Sequence, residues 1–536
     1  MQKPNSLKKF ISFILALVLT LVPMTMTISP VFNVNAIDTT NVIIKEIVSG
    51  LEYEWIGSFS EGLAAVWKNN KWGFIDKTGN EVILCMYDWI WDFNEGMAAV
   101  DIRDNSKTGC ESVKMGFIDK AGNEAVPFIY SQVQNFSEGL ASITIYDDNG
   151  SGEWLFVDKT GKEAIPNEDN RISKYYTRFS EDLAYINYID RELWESEQGF
   201  IDKTGTKIIS GLNYAYVGDF IDGMASVAVW WNWDSSISTA KWGFIDKTGN
   251  EIIPLTYNRV EPFNEGLAAA QKNGKWGFID KTGKEIIPFI YDSEKIDSLE
   301  YNLIRGFKDG LSAMMKGNKW GFIDKENNKI IPFIYDEAKG FSEGFAVVKK
   351  DGNWGIIDKT GNEIVPFIYN WIESFNNGLT VSQKDGKWSI LQMQFITNPT
   401  SSIVYVNGIA THFEAYLLND NNFFKLRDLA YVLIGTEKQF SIGWDNETNT
   451  ITLTSGQPYI SVGGEMILGD DMSKYATLNA NINISKDGIP VEITAYLING
   501  NNFVKLRDVM RLLDIEVKWD ANFGNIGINT EKNYDN

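Results

Sequence analysis

The stretch from Lys275 to Asp292 reads KWGFIDKTGKEIIPFIYD. It returns as KWGFIDKTGNEIIPLTYN from Lys241 to Asn258 and as NWGIIDKTGNEIVPFIYN from Asn353 to Asn370. Equivalent positions lie 34 residues apart between Gly243 and Gly277, Gly321 and Gly355, and Gly355 and Ser389. Self-similarity at a fixed short period predicts a repeat architecture, in which each unit buries its apolar face against its neighbours. Aligning on the Trp-Gly pair places nine units, with the glycine or its equivalent at Gly73, Gly116, Leu155, Gly199, Gly243, Gly277, Gly321, Gly355 and Ser389. Longer steps carry inserted loops, such as Asp101 to Val113 and Trp230 to Ala240, and Met115 and Gln198 replace the tryptophan in two units.

Each unit reads as three to four short antiparallel strands. In the copy from Phe263, Phe263-Asn264-Glu265-Gly266 is a turn and Leu267 to Ala270 a strand. Lys272-Asn273-Gly274 makes a hairpin, and Lys275 to Asp280 is the returning strand. Asp280-Lys281-Thr282-Gly283, acid first and glycine fourth, predicts a type I turn closing into a bulge with Gly283 at positive φ. Glu285-Ile286-Ile287 pairs back, and Pro288, which lacks a ladder donor, is expected to end that strand. The fold class is mainly β: a β-repeat array, propeller-like or an open β-solenoid, followed by a small duplicated α+β module. The array resembles the WG-repeat family of bacterial proteins, which implies a propeller-like β-scaffold. Nine units exceed the usual four to eight blades, so an open or superhelical array stands as the alternative to a closed ring.

Asp76, Asp119, Asp158, Asp202, Asp246, Asp280, Asp324 and Asp358 form a ladder of equivalent carboxylates. A glycosidase needs two carboxylates in different environments, one protonated and one ionised. Equivalent turn aspartates cannot supply that difference; their expected task is to accept backbone N–H bonds within the turn. The repeat tryptophans Trp72, Trp242, Trp276, Trp320 and Trp354 are expected in the core or between units. Aromatics outside the repeat are the candidate ligand-binding residues. Trp230, Trp231 and Trp233 share one insertion, and Trp89 and Trp91 form another cluster, with flat rings suited to stacking on sugars or docking a partner. The alternation of Trp231 and Trp233 equally fits a strand face against a neighbouring unit.

After Leu391 the period stops and a second duplication begins. AYLLNDNNFFKLRD from Ala415 matches AYLINGNNFVKLRD from Ala495, an offset of 80 residues, with Trp444-Asp445 and Trp519-Asp520 downstream. Leu426, Leu429, Ala430 and Leu433 share one helical face, as do Leu506, Val509, Met510 and Leu513. This duplicated pattern resembles the copper amine oxidase N-terminal (stalk) domain, found on exported proteins of Gram-positive bacteria and related groups. Lys425 and Lys505 stand where that family has proline. Arg427 and Arg507 match its arginines and are read as structural, tying helix to sheet. The resemblance does not extend to copper, because such a site needs three imidazoles and a tyrosine-derived quinone, whereas His412 is the chain's one histidine. His412 has no nucleophile motif to join and is read as an ordinary strand residue. The acidic loops Asp147-Asp148-Asn149 and Asp470-Asp471 lack the alternating spacing of a calcium loop, and neither a metal nor another cofactor is expected.

Lys3, Lys8 and Lys9, the apolar run Phe10 to Val22 and the small residues Val34-Asn35-Ala36 form the three parts of a secretory signal. The run is short for a membrane span and Pro23 follows it, so cleavage and no stable span are expected. The sequence thus divides into a signal peptide (1–36), a lead-in (37–58), the array (59–395) and the stalk-like module (401–530). A net charge of -22, with acids spread along the chain, argues against nucleic acid as a partner. Cys85 and Cys110 leave two states open, a disulfide across the insertion or two thiols. The expectation is a secreted or cell-surface, non-enzymatic binding or scaffold protein. Its array would recognise a protein or a cell-envelope glycan, and its module would serve as spacer or wall-proximal attachment. The alternative is an extracellular polysaccharide- or cell-wall-acting hydrolase with an acidic residue pair. A third class is an assembly protein that grips another polypeptide through an edge strand or groove.

Overall fold

A computed structural model of the chain describes residues 42–103, 113–146, 152–165, 172–173, 177–190, 195–230, 240–292, 306–418, 421–445, 449–469, 472–479 and 482–535. The segment read as a secretory signal, Cys110, Trp231, Trp233, the side chain of Trp230 and the two acidic loops lie outside the described residues.

The unit seen in sequence is a sheet of four antiparallel strands in chain order, for example Arg259–Val260, Ala268–Lys272, Lys275–Ile279 and Glu285–Tyr291. Its hairpins turn through Glu265-Gly266 (φ 50° and 83°) and Asn273-Gly274 (φ 52° and 76°). Two successive residues at positive φ match the right-handed twist of the flanking strands. At the third turn, Asp280 Oδ1 accepts hydrogen bonds from the Thr282 N–H (2.9 Å), the Thr282 hydroxyl (2.6 Å) and the Lys284 N–H (3.0 Å), with Gly283 at φ 79°. Pro288 does not end the fourth strand, contrary to expectation. The register passes from Trp276↔Tyr291 to Phe278↔Ile287, so Pro288, Phe289 and Ile290 stand opposite Gly277 alone. The proline falls inside this bulge on an edge strand, where no ladder bond is lost and edge-to-edge pairing is blocked. The same bulge explains the glycine of the motif: a Cβ at Gly277 would lie 2.5 Å from the Ile287 carbonyl oxygen. At Ser389 the neighbouring strand comes from elsewhere in the chain, and its register also shifts there, between Val48↔Ile390 and Leu51↔Trp388.

That neighbour decides the architecture. The ninth sheet contains Trp371–Ile372, Leu379–Lys384 and the first part of the long strand Lys387–Pro399. Its fourth strand is Val42–Leu51, from the segment read as a lead-in, paired antiparallel from Val42↔Phe395 to Leu51↔Trp388. Hydrophobic clusters bridge every consecutive pair of sheets. A further cluster joins the last sheet to the first: Leu379, Val381, Trp388 and Ile390 pack against Ile56, Phe59, Ala64, Val66 and Ile75. The nine sheets therefore close into a propeller-like ring, which settles the alternative left open by the sequence.

Polar latches cross the same interfaces. Glu95 Oε2 accepts from the Gly139 N–H of the next sheet (2.9 Å) and lies 3.3 Å from the Lys159 ammonium. Glu61, Glu138, Glu181 and Glu265 repeat the arrangement with Lys120, Lys203, Lys247 and Lys325. Each such glutamate sits in the turn between first and second strands, and each lysine in the Asp-Lys-x-x turn of the following unit. Two turns recognised separately in sequence are thus one recurring contact.

The long strand Lys387–Pro399 leaves the ring and enters the terminal module. It pairs there with Ala415–Leu418 and Lys474–Leu478. Asn421–Lys425, Asn501–Lys505 and Ala495–Ile498 complete a closed circuit of six strands around Tyr416, Leu418, Phe423, Ala476, Ile498 and Phe503. The helices α1 (Leu426–Val432) and α2 (Leu506–Leu512) follow the two equivalent strands. Leu426, Leu429, Ala430 and Leu433 pack with Leu506, Val509, Met510 and Leu513 in one core, as their spacing predicts. The halves exchange strands: Val404–Val406 pairs in parallel with Asn525–Asn529, and Thr450–Ser455 with Asn483–Lys486.

Candidate functional site

All eight ladder aspartates accept N–H bonds from residues two and four positions later, among them Asp76, Asp202 and Asp358. They serve the turns. Of the candidate aromatics, Trp89 is 47% exposed and Trp91 is half-buried, their rings 6.4 Å apart. They belong to a larger assembly that only ring closure reveals. Trp89 meets Trp72 at 5.8 Å, and Trp72 meets Trp67 at 4.9 Å. Trp67 is the cross-strand partner of Trp55, which contacts Trp388 (5.5 Å) and Trp371 (5.7 Å); Trp371 then meets Trp354 at 5.6 Å. This band of tryptophans runs across the last two sheets and the first two. Trp55, 38% exposed, and Trp89 are its accessible members, whereas Trp354 and Trp388 are buried. Trp55, Trp67 and Trp371 were not singled out from sequence. Their signal was available: Trp55, Trp89 and Trp371 each lie four residues before the phenylalanine of the first turn, at Phe59, Phe93 and Phe375. Lys339 sits over Trp371 at 4.5 Å and pairs with Glu373 at 2.8 Å, and Glu373 also accepts from the Trp371 indole N–H.

First strands elsewhere in the ring carry acids in unusual environments. Burial pushes the Glu261 carboxyl up to about 7, against the opposing pull of Arg259. Tyr216 is raised by burial and then by the charges of Asp219 and Glu261; Asp219 is ion-paired with Arg178 at 2.7 Å. Asp92 is raised by burial and by Glu373.

The terminal module holds two grooves that correspond through its duplication. One, of about 260 Å³, is lined by Arg427, Trp444, Ile451, Tyr459, Asn501 and Asn502. The other, of about 520 Å³, is lined by Lys505, Arg507, Trp519, Ile526, Asn421 and Asn422. Each combines the arginine and tryptophan of one half with the Asn-Asn pair of the other. The expectation that Arg427 and Arg507 tie helix to sheet is overturned: both are exposed and neither makes a hydrogen bond or ion pair among the described residues. Each helix begins at the leucine after the lysine, Leu426 or Leu506, which is buried, and its second side chain, the arginine, points outward. Lys425, in contrast, is buried and pairs with Glu414 at 2.7 Å.

His412 is exposed, and among the described residues no group of three or more His, Cys, Asp or Glu side chains is placed to hold a metal ion. One imidazole with no companion ligands does not fit the copper that the family name suggests. Cys85 is half-buried, its thiol pushed up to about 11 by burial. No helix among the described residues is long and apolar enough to cross a membrane.

No curated protein matches the chain. Among solved structures, a eukaryotic initiation factor aligns at 13% identity and TM-score 0.41, over 64% of this chain and 91% of that one. An uncharacterized protein from Listeria monocytogenes aligns at 13% identity and TM-score 0.29, over 55% of this chain and 99% of that one. AztD from Citrobacter koseri, in its apo form, aligns at 12% identity and TM-score 0.29, over 64% and 89%. Likenesses this loose say nothing of activity. The family models are more specific. The WG containing repeat matches at residues 45–72, 72–105, 115–147, 199–229, 242–276, 276–320, 320–354 and 354–388, and the copper amine oxidase N-terminal domain at 405–528. With those repeats folded as sheets of a closed ring and the duplicated module following them, the chain belongs to the WG-repeat proteins and carries a C-terminal copper amine oxidase N-terminal domain.

Proposed function

We propose that this is an exported, non-enzymatic binding scaffold whose ring offers the tryptophan band to a cell-envelope glycan or an extracellular protein. At a coarse level the repeat array and the stalk-like domain fit such a scaffold. The observation that carries the finer reading is the band itself, drawn from both ends of the array into one surface with Trp55 and Trp89 exposed. Flat, half-buried indoles lose little side-chain freedom on binding and stack on the C–H faces of sugars or on apolar side chains. The closed ring holds them in place without induced fit. The terminal module, continuous with the ring through Lys387–Pro399, sets the orientation of that surface at the cell envelope. The test is co-sedimentation of the full mature chain with insoluble cell-wall material. Trp55→Ala with Trp89→Ala is expected to lower retention several-fold at an unchanged melting temperature. Unchanged retention removes the band as the recognition surface. Export is checked separately by sequencing the N-terminus of the protein from culture medium, where a start at Ile37 is expected.

A second reading has one observation in its favour. Glu261, raised to about 7 by burial, and Asp219, ion-paired with Arg178, both act on the Tyr216 phenol through their charges, and they are carboxyl groups in different environments. Such a division of protonation is what a glycoside hydrolase requires. Hydrolysis of a glycan panel by the full chain, abolished by Glu261→Gln, favours this reading; a panel left intact favours binding.

A further inference from the structure

We infer that the two grooves of the terminal module are paired binding sites for a sugar chain bearing carboxylates. This goes beyond the role of the tryptophan band, since it assigns recognition to the module itself at residues the ring does not share.

Arg427 in one and Arg507 in the other are exposed guanidinium groups with no hydrogen bond or ion pair among the described residues, and Arg427 acts electrostatically on Tyr459 of its own groove. A guanidinium presents its donors in a fixed planar fork that matches a carboxylate. The asparagines act in the same sense. Asn422 accepts through its side-chain oxygen from the Thr400 hydroxyl at 2.6 Å, and Asn502 accepts from the Asn479 amide at 2.6 Å. Both amide oxygens are thereby engaged, and both NH₂ groups are left as donors. Each groove thus combines guanidinium and amide donors, which suits a ligand rich in acceptors such as a carboxylate flanked by hydroxyls.

Each groove also carries a flat apolar element. Trp444 is 49% exposed and Trp519 is 52% exposed, and each lines its groove with a buried isoleucine, Ile451 or Ile526. An indole face beside a guanidinium distinguishes a carboxylated pyranose from a simple anion, since the ring C–H groups stack on the indole while the carboxylate takes the fork. Charges beyond about 8 Å are largely screened at physiological salt, so the chain's overall charge of -22 acts weakly, whereas the Glu465 carboxylate, which accepts from Tyr459 at 2.8 Å, makes the smaller groove the weaker site. Lys505 adds a second cation to the larger groove.

Strand exchange between the halves brings the Asn-Asn pair of each half to the arginine and tryptophan of the other, so both grooves are assembled across the module and neither can form from one half alone. Two equivalent sites on one rigid body raise the avidity for a polymer with repeating carboxylates. The sites are not identical. The first half carries an additional segment, Gly456 to Gly469, whose Tyr459, Ile460 and Val462 narrow its groove to about half the volume of the other. The larger groove is therefore expected to bind more extended chains.

Calorimetric titration of the full mature chain with trigalacturonate tests this, with maltotriose as neutral comparator and penta-glutamate as a charged chain without sugar rings. Two sites per chain are expected for trigalacturonate, with maltotriose at least tenfold weaker. Arg427→Gln should remove one site and Arg507→Gln the other. Trp444→Ala and Trp519→Ala should each weaken their site about tenfold or more at an unchanged melting temperature. Absence of trigalacturonate binding overturns the proposal. So does binding that survives both arginine substitutions, or penta-glutamate binding as tightly as trigalacturonate in a manner indifferent to both tryptophans. Because Trp55 and Trp89 are intact throughout, failure here leaves the role of the ring untouched.

Discussion

Ring closure by the strand Val42–Leu51 makes a quantitative prediction that an open array does not. Ile44 in that strand is 5% exposed and packs with Val365, Tyr369, Leu391 and Met393. Ile331, in the middle of the array, is fully buried in an equivalent interface. Replacing either by alanine deletes three carbons from a packed core. At about 0.8 kcal/mol per buried methylene the transfer loss is about 2.4 kcal/mol, and the cavity brings the total to about 3 kcal/mol, within the range of about 2–5 found for such changes. In a closed ring both substitutions cost about the same and act on one cooperative transition. In an open array Ile44 would belong to a terminal strand that frays at almost no cost. Urea denaturation followed by tryptophan fluorescence measures the two costs, and amide exchange locates them. Ile44→Ala should speed exchange in the ninth sheet and also in Leu63–Lys68 of the first, which shares a core with Trp388. A cost below about 0.5 kcal/mol for Ile44→Ala beside about 3 kcal/mol for Ile331→Ala would refute closure.

Glu261 predicts a pH dependence. Its carboxyl is raised from 4.5 to about 7 in the folded chain, so the native state holds the proton more tightly than the unfolded state does. The favourable contribution is complete below the unfolded value and is lost as pH rises through about 7. Stability should therefore fall between pH 5 and 8, and Glu261→Gln should flatten that slope in denaturation curves. Asp358 is 5% exposed and accepts from the Thr360 N–H and hydroxyl and from the Asn362 N–H and amide. Asp358→Ala leaves those donors unsatisfied and should cost about 2–4 kcal/mol, against less than about 2 kcal/mol for Asp76→Ala in an exposed copy of the turn, read from denaturation midpoints.

Local chemistry was legible and distant pairing was not. The turn Asp280 to Gly283, the hairpin at Asn273-Gly274 and the helical face Leu426 to Leu433 each depend on residues a few positions apart, and sequence displays those directly. Pro288 misled because its meaning depends on whether the strand has one neighbour or two, which is a property of the whole sheet. Closure was hidden for a similar reason. The strand Val42–Leu51 carries no Trp-Gly motif, and its partner begins more than 300 residues later, so no spacing announces the pair. The tryptophan band inherits this, since Trp55 and Trp371 become neighbours only once the ends meet. Arg427 and Arg507 were assigned to structure by family analogy, whereas their freedom follows from where the helix begins.

The strand Lys387–Pro399 has a mechanical consequence. Within one continuous segment it is zipped to Val42–Leu51 at the ring's seam and then built into the six-stranded circuit of the terminal module. The module therefore cannot swivel on a tether, and any tension applied to it is delivered along this strand to the hydrogen bonds that hold the ring shut. Those bonds lie across the strand direction, so they are loaded in shear and must yield together, whereas a peeling load would break them one at a time. A protein held by its C-terminal end would thus carry force through the seam of its ring at its strongest angle.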